Sequence, residues 1–161
     1  MTPVDADAFR ALFRVVPSAV GIVAVRSGDR IHATTVSSFC SLSLDPPLLM
    51  LALHQDSTIL GLIQERGSFG LSVLADDQED LAKACAEKGP GSLADEHWDV
   101  QDPHPRIAGA TAWAGCEIDQ VIPGGDHRIV TARVVDSKVP GRPPLIHHAR
   151  AFHRLPGTIG D

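Results

Sequence analysis

Turn-forming residues divide this chain into short segments, and that division limits the folds open to it. The 161 residues include 14 glycines and 12 prolines, and turn signals fall at residues 27–29, 45–47, 123–126 and 141–144. Short apolar runs lie between them, and residues 127–135 alternate with the two-residue period of a half-buried strand. Short strands joined by turns indicate a strand-rich fold rather than a helical bundle.

The apolar pattern predicts about seven strands and three short helices. The segment at residues 48–53 is apolar throughout, and we expect a strand that is buried on both faces. The other predicted strands cover residues 20–26, 31–37, 69–74, 110–121, 127–135 and one or two segments of 145–155. Together they predict a mainly β domain over residues 1–161, a closed or nearly closed antiparallel barrel with helices at its ends.

Capping residues mark the three predicted helices. Apolar residues at helical spacing predict a helix over residues 7–15, with Asp5 or Asp7 as its cap. Asp56 or Ser57 is the predicted N-cap of a helix over residues 57–66. We expect an aspartate to cap a third helix over residues 77–87, which Gly89-Pro90-Gly91 ends.

Charge and cysteine content exclude several classes of function. The formal net charge of -6 disfavours binding to nucleic acid or to an anionic membrane surface. The three cysteines are too far apart for a CxxC motif, and their odd number without an export signal predicts a cytoplasmic protein. The longest apolar run is far too short to cross a bilayer, so we expect no membrane association.

Two polar segments are candidates for ligand binding. Four hydroxyl side chains crowd residues 34–38 at a predicted strand end, where hydroxyl and backbone N–H groups can bind a phosphate or the edge of a heterocycle. The alternative for this segment is an ordinary exposed strand edge. Residues 54–58 precede a predicted helix whose N-terminus suits a phosphate, with Ser57 and Thr58 adding hydroxyls. The alternative for this second segment is a plain N-cap.

A third candidate is Gly124-Gly125-Asp126-His127, which puts a histidine at the start of a strand after a tight turn. The alternative is an exposed imidazole in a surface turn. None of the eight histidines has the spacing of a metal-binding pair, so we expect no metal site. Residues 89–94 fit a GxGxxA pattern but follow a predicted helix, which disagrees with a dinucleotide-binding turn.

Taken in order, five stretches of this chain resemble the flavin reductase-like family, whose members adopt the antiparallel Greek-key FMN-binding split barrel. The resemblance runs from about residue 9 to residue 155. The stretches that carry it are residues 9–20, residues 36–48 with Val36-Ser37-Ser38-Phe39, residues 69–86, Gly125-Asp126-His127, and Pro144-Leu145-Ile146.

The resemblance implies a flavin, FMN or FAD, in a groove at a homodimer interface. Residues 35–38 would line the isoalloxazine ring and ribityl chain, residues 53–55 would offer backbone to the ring, and the start of the following helix would meet the phosphate. The residues it places at the flavin are Thr35, Val36, Ser37, Ser38, Leu53, His54, Gln55, Ser57 and Thr58.

The same resemblance puts His127 at the nicotinamide side of the site, as the one candidate catalytic residue. A neutral His127 can donate to a carboxamide oxygen, and a protonated His127 favours a nucleotide phosphate. The chain departs from the family pattern at Gln55, where arginine is common, at Cys85, where phenylalanine is frequent, and at His147 and His148, where tyrosine is usual.

Two functions follow from the resemblance. The first is an NAD(P)H-dependent flavin reductase that uses NADH or NADPH and supplies reduced flavin to a partner flavin-dependent monooxygenase. The alternative is a non-catalytic flavoprotein of the same fold that binds flavin or relays electrons.

Overall fold

Antiparallel strands make up most of the protein. The computed structural model describes residues 3–87, 93, 95–99 and 103–155. The helices are α1 (Ala6–Arg14), α2 (Thr58–Arg66) and α3 (Glu79–Ala86). The strands are β1 (Ser18–Ala19), β2 (Gly21–Ser27), β3 (Arg30–Val36), β4 (Phe39–Leu44), β5 (Pro47–His54), β6 (Ser68–Val73), β7 (Trp98–Asp99), β8 (Arg106–Ile107), β9 (Ala112–Gly124), β10 (His127–Lys138), β11 (Leu145–His148) and β12 (Ala151–Arg154).

One seven-stranded sheet forms the body of the fold, in the order β3-β2-β6-β9-β10-β5-β4. All its neighbours are antiparallel, and its edge strands are β3 and β4. The connection between these two edges bonds back to the sheet, because the Ala52 N–H donates to the Ser38 carbonyl at 2.9 Å. Smaller sheets add β1-β11-β12 and β7-β8. The predicted mainly β, antiparallel architecture is therefore confirmed.

Strand β2 is buried on both faces and separates two apolar cores. Val23 and Val25 pack on the side of α2, with the fully buried Phe69 and Ile63. On the other side, the alternate residues of β2 pack with α3 and β11. Burying one large apolar side chain contributes about 2–3 kcal/mol, so the two cores fix both helices against the sheet.

Strand β5 corrects the expectation of a strand buried on both faces. Leu49, Leu51 and Leu53 are buried, whereas Leu48 and Met50 on the other face are only half-buried. The core covers one face of β5, and the other face is only half-buried. An apolar run alone does not distinguish these two cases.

The start of α3 also differs from the prediction. The N-cap of α3 is Gln78 rather than an aspartate, and its buried side chain turns into the protein. Its Oε1 accepts the Ala75 N–H at 2.9 Å, and its Nε2 donates to the Ala108 carbonyl at 2.8 Å. The predicted stop at residues 89–91 lies outside the described residues.

The other two helices begin as predicted. Asp5 caps α1, since its Oδ1 accepts the N–H groups of Asp7 and Ala8. Ser57 is the N-cap of α2, which ends at Gly67 with a φ of 72°, a conformation that favours glycine. Strand β4 was not predicted, because two of its six residues are serines and most of its residues are exposed.

Candidate functional site

The connection from β5 to α2 forms the first part of the site. The strand ends at His54, the chain turns through Gln55 and Asp56, and α2 starts after Ser57. Buried Ile59, Leu60 and Ile63 hold the helix to the core. The Ser57 hydroxyl makes no capping hydrogen bond, so it and the first N–H groups of α2 are available to an anion.

The turn between β9 and β10 lies directly against this connection. Gly125 has a φ of 70°, and the next residue, Asp126, accepts the Gln55 N–H through its carbonyl oxygen at 3.0 Å. His127 then pairs with His54 across β10 and β5. Their imidazole rings meet edge to face, with centroids 5.5 Å apart. The predicted phosphate site and the predicted nicotinamide residue are therefore neighbours.

Charge is concentrated at this junction. The His127 Nδ1 lies 2.8 Å from the Asp126 Oδ1. This hydrogen bond, together with the charge of His127, lowers the pKa of the Asp126 carboxyl. Arg128 adds a guanidinium on the same strand, and its Nη1 donates to the His127 carbonyl at 3.2 Å.

The segment at residues 35–38 reaches the site from the opposite edge of the sheet. Ser38 lies beside β5, where its hydroxyl donates to the Ala52 carbonyl at 3.0 Å. Ser37 is exposed and Val36 is buried in the core. The Thr35 hydroxyl donates to the Ala82 carbonyl of α3 at 2.6 Å. The side chains of Thr35 and Val36 thus serve the fold, and only their backbone groups remain for a ligand.

Two further predicted residues differ in what they can offer. Leu53 is buried, so its side chain belongs to the core and only its backbone is left for a ligand. Thr58 is exposed in the first turn of α2. The structure thus brings Ser38, residues 53–58 and His127 to one region.

An apolar groove whose lining residues were not predicted runs along β4 and β5, toward the end of β5 that is opposite to His54. It has a volume of about 370 Å³, and it begins at Phe39, the residue after Ser38. The lining residues are Phe39, Cys40, Ser41, Ser43, Pro47, Leu48, Leu49, Leu71 and Val134. A planar apolar ring system suits such a surface. The sequence signal for this groove was the set of apolar residues in β4. Predicting β4 as a strand would have shown that these residues lie beside β5.

The described part of the chain contains neither a metal-binding cluster nor a helix that could span a membrane. In residues 3–87, 93, 95–99 and 103–155, no group of three or more His, Cys, Asp or Glu side chains could hold a metal ion. Within the same residues, every helix is too short or too polar to span a bilayer.

Comparison with known proteins decides the family. Residues 13–156 match the family described as flavin reductase like domain. This chain belongs to that family. The reductase component of the 4-hydroxyphenylacetate 3-monooxygenase of Thermus thermophilus is 33% identical over 150 residues, 92% of this chain and 96% of the relative. An NADH:FMN oxidoreductase of Rhodococcus qingshengii is 30% identical over 167 residues, 99% of this chain and 86% of the relative.

Solved structures of flavin reductases share the fold. The flavin reductase component of a bacterial two-component tryptophan halogenase superposes with a TM-score of 0.87 at 34% identity, covering 95% of this chain and 99% of that one. An NADH:FAD oxidoreductase of Streptomyces globisporus superposes with a TM-score of 0.88 at 30% identity, covering 98% and 97%. The resemblance stated from sequence is thereby confirmed.

Proposed function

We propose that this protein is an NADH-dependent flavin reductase that supplies reduced flavin to a separate monooxygenase component. The observation that carries the proposal is the junction of the α2 N-terminus with the His54–His127 pair, on a strand that also lines an apolar groove. The junction offers donors to a phosphate and two imidazoles, and the groove along β4 and β5 offers an apolar surface to a ring. Two relatives that match nearly the whole chain are named as an NADH:FMN oxidoreductase and an NADH-dependent flavin reductase.

The residues of this region fit a flavin phosphate. The Ser57 hydroxyl makes no capping bond, and it stands with Thr58 at the positive end of the α2 dipole, where an anion is stabilised. We assign the phosphate to these two residues. Because Gln55 provides no guanidinium, the phosphate would be bound by neutral donors alone. Such binding is weaker, which suits a flavin that is released after reduction.

The ring would lie along β5 and the end of β3. Ser37, Ser38 and the backbone of residues 53–55 offer polar groups to its edge, while the groove covers its apolar part. Thr35 and Val36 take part through their backbone, because the fold uses their side chains. When bound, a flavin supplies the ring nitrogen that accepts a hydride from reduced nicotinamide. The protein aligns the two rings and excludes water, and His127 positions the nicotinamide.

The proposal includes a homodimer that completes the groove. Helix α1 has no buried residue, although three of its side chains are large and apolar. Phe9, Leu12 and Phe13 are 53%, 61% and 54% exposed. The edge strand β4 presents Leu44, which is 94% exposed. A second copy would cover such apolar surface. Sedimentation of the flavin-bound protein tests this: we expect a dimer, and a monomer that persists at high micromolar concentration contradicts it.

We place the protein in the cytoplasm as a single domain over residues 1–161. Its cysteines are all free thiols, which suits a reducing compartment. A fractionation of the native cells that found the protein outside the cytoplasm would contradict this location. FMN and FAD both fit the proposal, and titration of the apoprotein with each, followed by flavin fluorescence, distinguishes them.

The decisive experiment mixes purified protein, FMN and NADH, and follows the loss of NADH absorbance. We expect catalytic turnover far above the rate without protein, and a parallel series with NADPH measures the nicotinamide preference. When a flavin-dependent oxygenase component without its own reductase is added to this mixture, we expect it to oxidise its substrate. Tight flavin binding without NADH oxidation would contradict the proposal and favour the electron-relay alternative.

A further inference from the structure

Helix α3 has one face against the sheet and another toward solvent. Ala82 and Cys85 are buried and pack in the core with residues of β2, and the Ala82 carbonyl accepts the Thr35 hydroxyl of β3 at 2.6 Å. Asp80 and Ala84 lie one turn apart on the other side of the helix, and both are exposed. This second side lines a groove that contains none of the residues we assign to the flavin.

The groove, which we name the α3 groove, has a volume of about 520 Å³. Its lining includes Asp77, Asp80, Leu81, Ala84, Leu93, His97 and Arg142. Leu81 and Leu93 are only half-buried although both are large and aliphatic. The lining contains no residue of α1 or β4, so the groove is separate from the surface that we assign to the homodimer. A groove of this size with an apolar floor suits the apolar face of a partner segment.

Carboxylates surround the apolar part of the α3 groove. Asp80 lines it on the side of α3. Asp95 and Glu96 are exposed in the single turn of 3-10 helix, Asp95–His97, which contributes His97 to the lining. The rim therefore carries acidic side chains from two separate elements of the fold.

The cations of α3 and of the groove lining are already paired. The Arg142 guanidinium contacts the Asp77 carboxylate through Nη2. The Lys83 Nζ lies 2.7 Å from the Glu79 Oε1. Because these pairs cancel in charge, the other carboxylates leave the rim negative at neutral pH, and a partner that fits this surface must be basic.

We propose that the α3 groove is the docking site of the oxygenase component, and that the docked segment is an amphipathic helix with basic residues beside its apolar face. The apolar face fills the groove, and the lysines or arginines meet the rim carboxylates, which favours fast and specific association. The proposal rests on the proposed function, since it needs an oxygenase that takes up reduced flavin.

The location of the α3 groove suits flavin transfer. The bond from Thr35 to Ala82 joins α3 to the strand that leads into Ser37 and Ser38, where we place the edge of the flavin ring. A partner on the outer side of α3 is then separated from β3 by about one helix diameter, about 10 Å. Because free reduced flavin reacts with dioxygen, a short path between the two proteins limits that loss.

A synthetic peptide tests the groove directly. The probe is a fluorescein-labelled helix of about 18 residues, or about five turns, with leucines spaced three and four residues apart and lysines elsewhere. Fluorescence anisotropy with wild-type protein should show saturable binding that weakens as salt is added. The same peptide with glutamate in place of lysine should not bind.

Two variants of α3 test the two parts of the interaction. Ala84→Arg puts a long cation into the groove and should weaken binding of the lysine peptide about tenfold. Asp80→Asn removes one exposed carboxylate and should weaken it about two- to threefold. Ala11→Arg is the matched control, because Ala11 is an exposed alanine of a helix that does not line the groove, and it should bind the peptide as wild type does.

The oxygenase that wild-type protein supports in the coupled mixture tests the partner. Ala84→Arg should oxidise NADH with FMN alone at the wild-type rate, and should lower the yield of oxygenase product per NADH about twofold or more, because docking no longer concentrates the two proteins. Ala11→Arg should keep the full yield.

The outcomes separate this proposal from the proposed function. A lysine peptide that fails to bind wild type, or that binds Ala84→Arg equally well, would overturn the docking site. Lost peptide binding with an unchanged product yield would overturn the assignment to the oxygenase. Wild-type protein that fails to oxidise NADH would overturn the proposed function, whereas the peptide titration needs neither NADH nor flavin.

Discussion

The Thr35 hydroxyl allows a direct test of which residues serve the fold and which serve the flavin. It donates to the Ala82 carbonyl at 2.6 Å and so joins β3 to α3. Thr35→Val keeps the side-chain volume and removes this one bond, which costs about 1 kcal/mol. In a domain of this size that loss lowers the Tm by about 2–4 °C. Flavin affinity should stay within about twofold of wild type, because the backbone of Thr35 is unchanged.

Thermal unfolding followed by circular dichroism measures the first effect, and flavin fluorescence titration measures the second. Thr34→Val is the matched control, since neighbouring residues of a strand point to opposite faces, and it should leave the Thr35 bond intact. An unchanged Tm combined with a several-fold weaker flavin affinity in Thr35→Val would refute this reasoning. That result would mean that the Thr35 hydroxyl contacts the flavin rather than α3.

Three further changes test other parts of the structure. Ser57→Ala should weaken flavin binding by about 1 kcal/mol, or about fivefold by fluorescence titration, without lowering the Tm, because Ser57 makes no capping bond. Burial raises the pKa of Cys85 to about 11 and that of Cys116 to about 12, so a thiol reagent at neutral pH should modify exposed Cys40 alone until the protein is denatured. Arg150→Gly should raise stability to denaturant by about 1 kcal/mol, since Arg150 has a φ of 67° that glycine adopts without strain.

Local sequence signals predicted the parts of the fold that depend on neighbouring residues. The turn at Gly28 and the N-caps at Asp5 and Ser57 are set by the conformation of a few adjacent residues, and all are present in the structure. Strand β4 gave a weak signal because an exposed edge strand needs no apolar alternation. The role of Gln78 could not be predicted, because one of its two hydrogen bonds goes to the carbonyl of Ala108, which is remote in sequence.

The same distinction applies to the site. The hydroxyls of Ser57 and Thr58 at a helix start could be seen in the sequence, and so could the turn before His127. Their proximity could not, because it depends on the pairing of β5 with β10. The hydrogen bond from the Gln55 N–H to the Asp126 carbonyl joins two loops that are remote in sequence and that no local pattern connects.

The pairing of β5 with β10 explains why the two histidines meet. Leu51 pairs with Val130 and His54 with His127, and both members of the first pair are fully buried. A shift of one residue would turn every side chain of a strand to the other face and expose these core residues. Since burying each such side chain contributes about 2 kcal/mol, the core fixes the register. The apolar interior thereby sets His54, at the end of β5, opposite His127, at the start of β10.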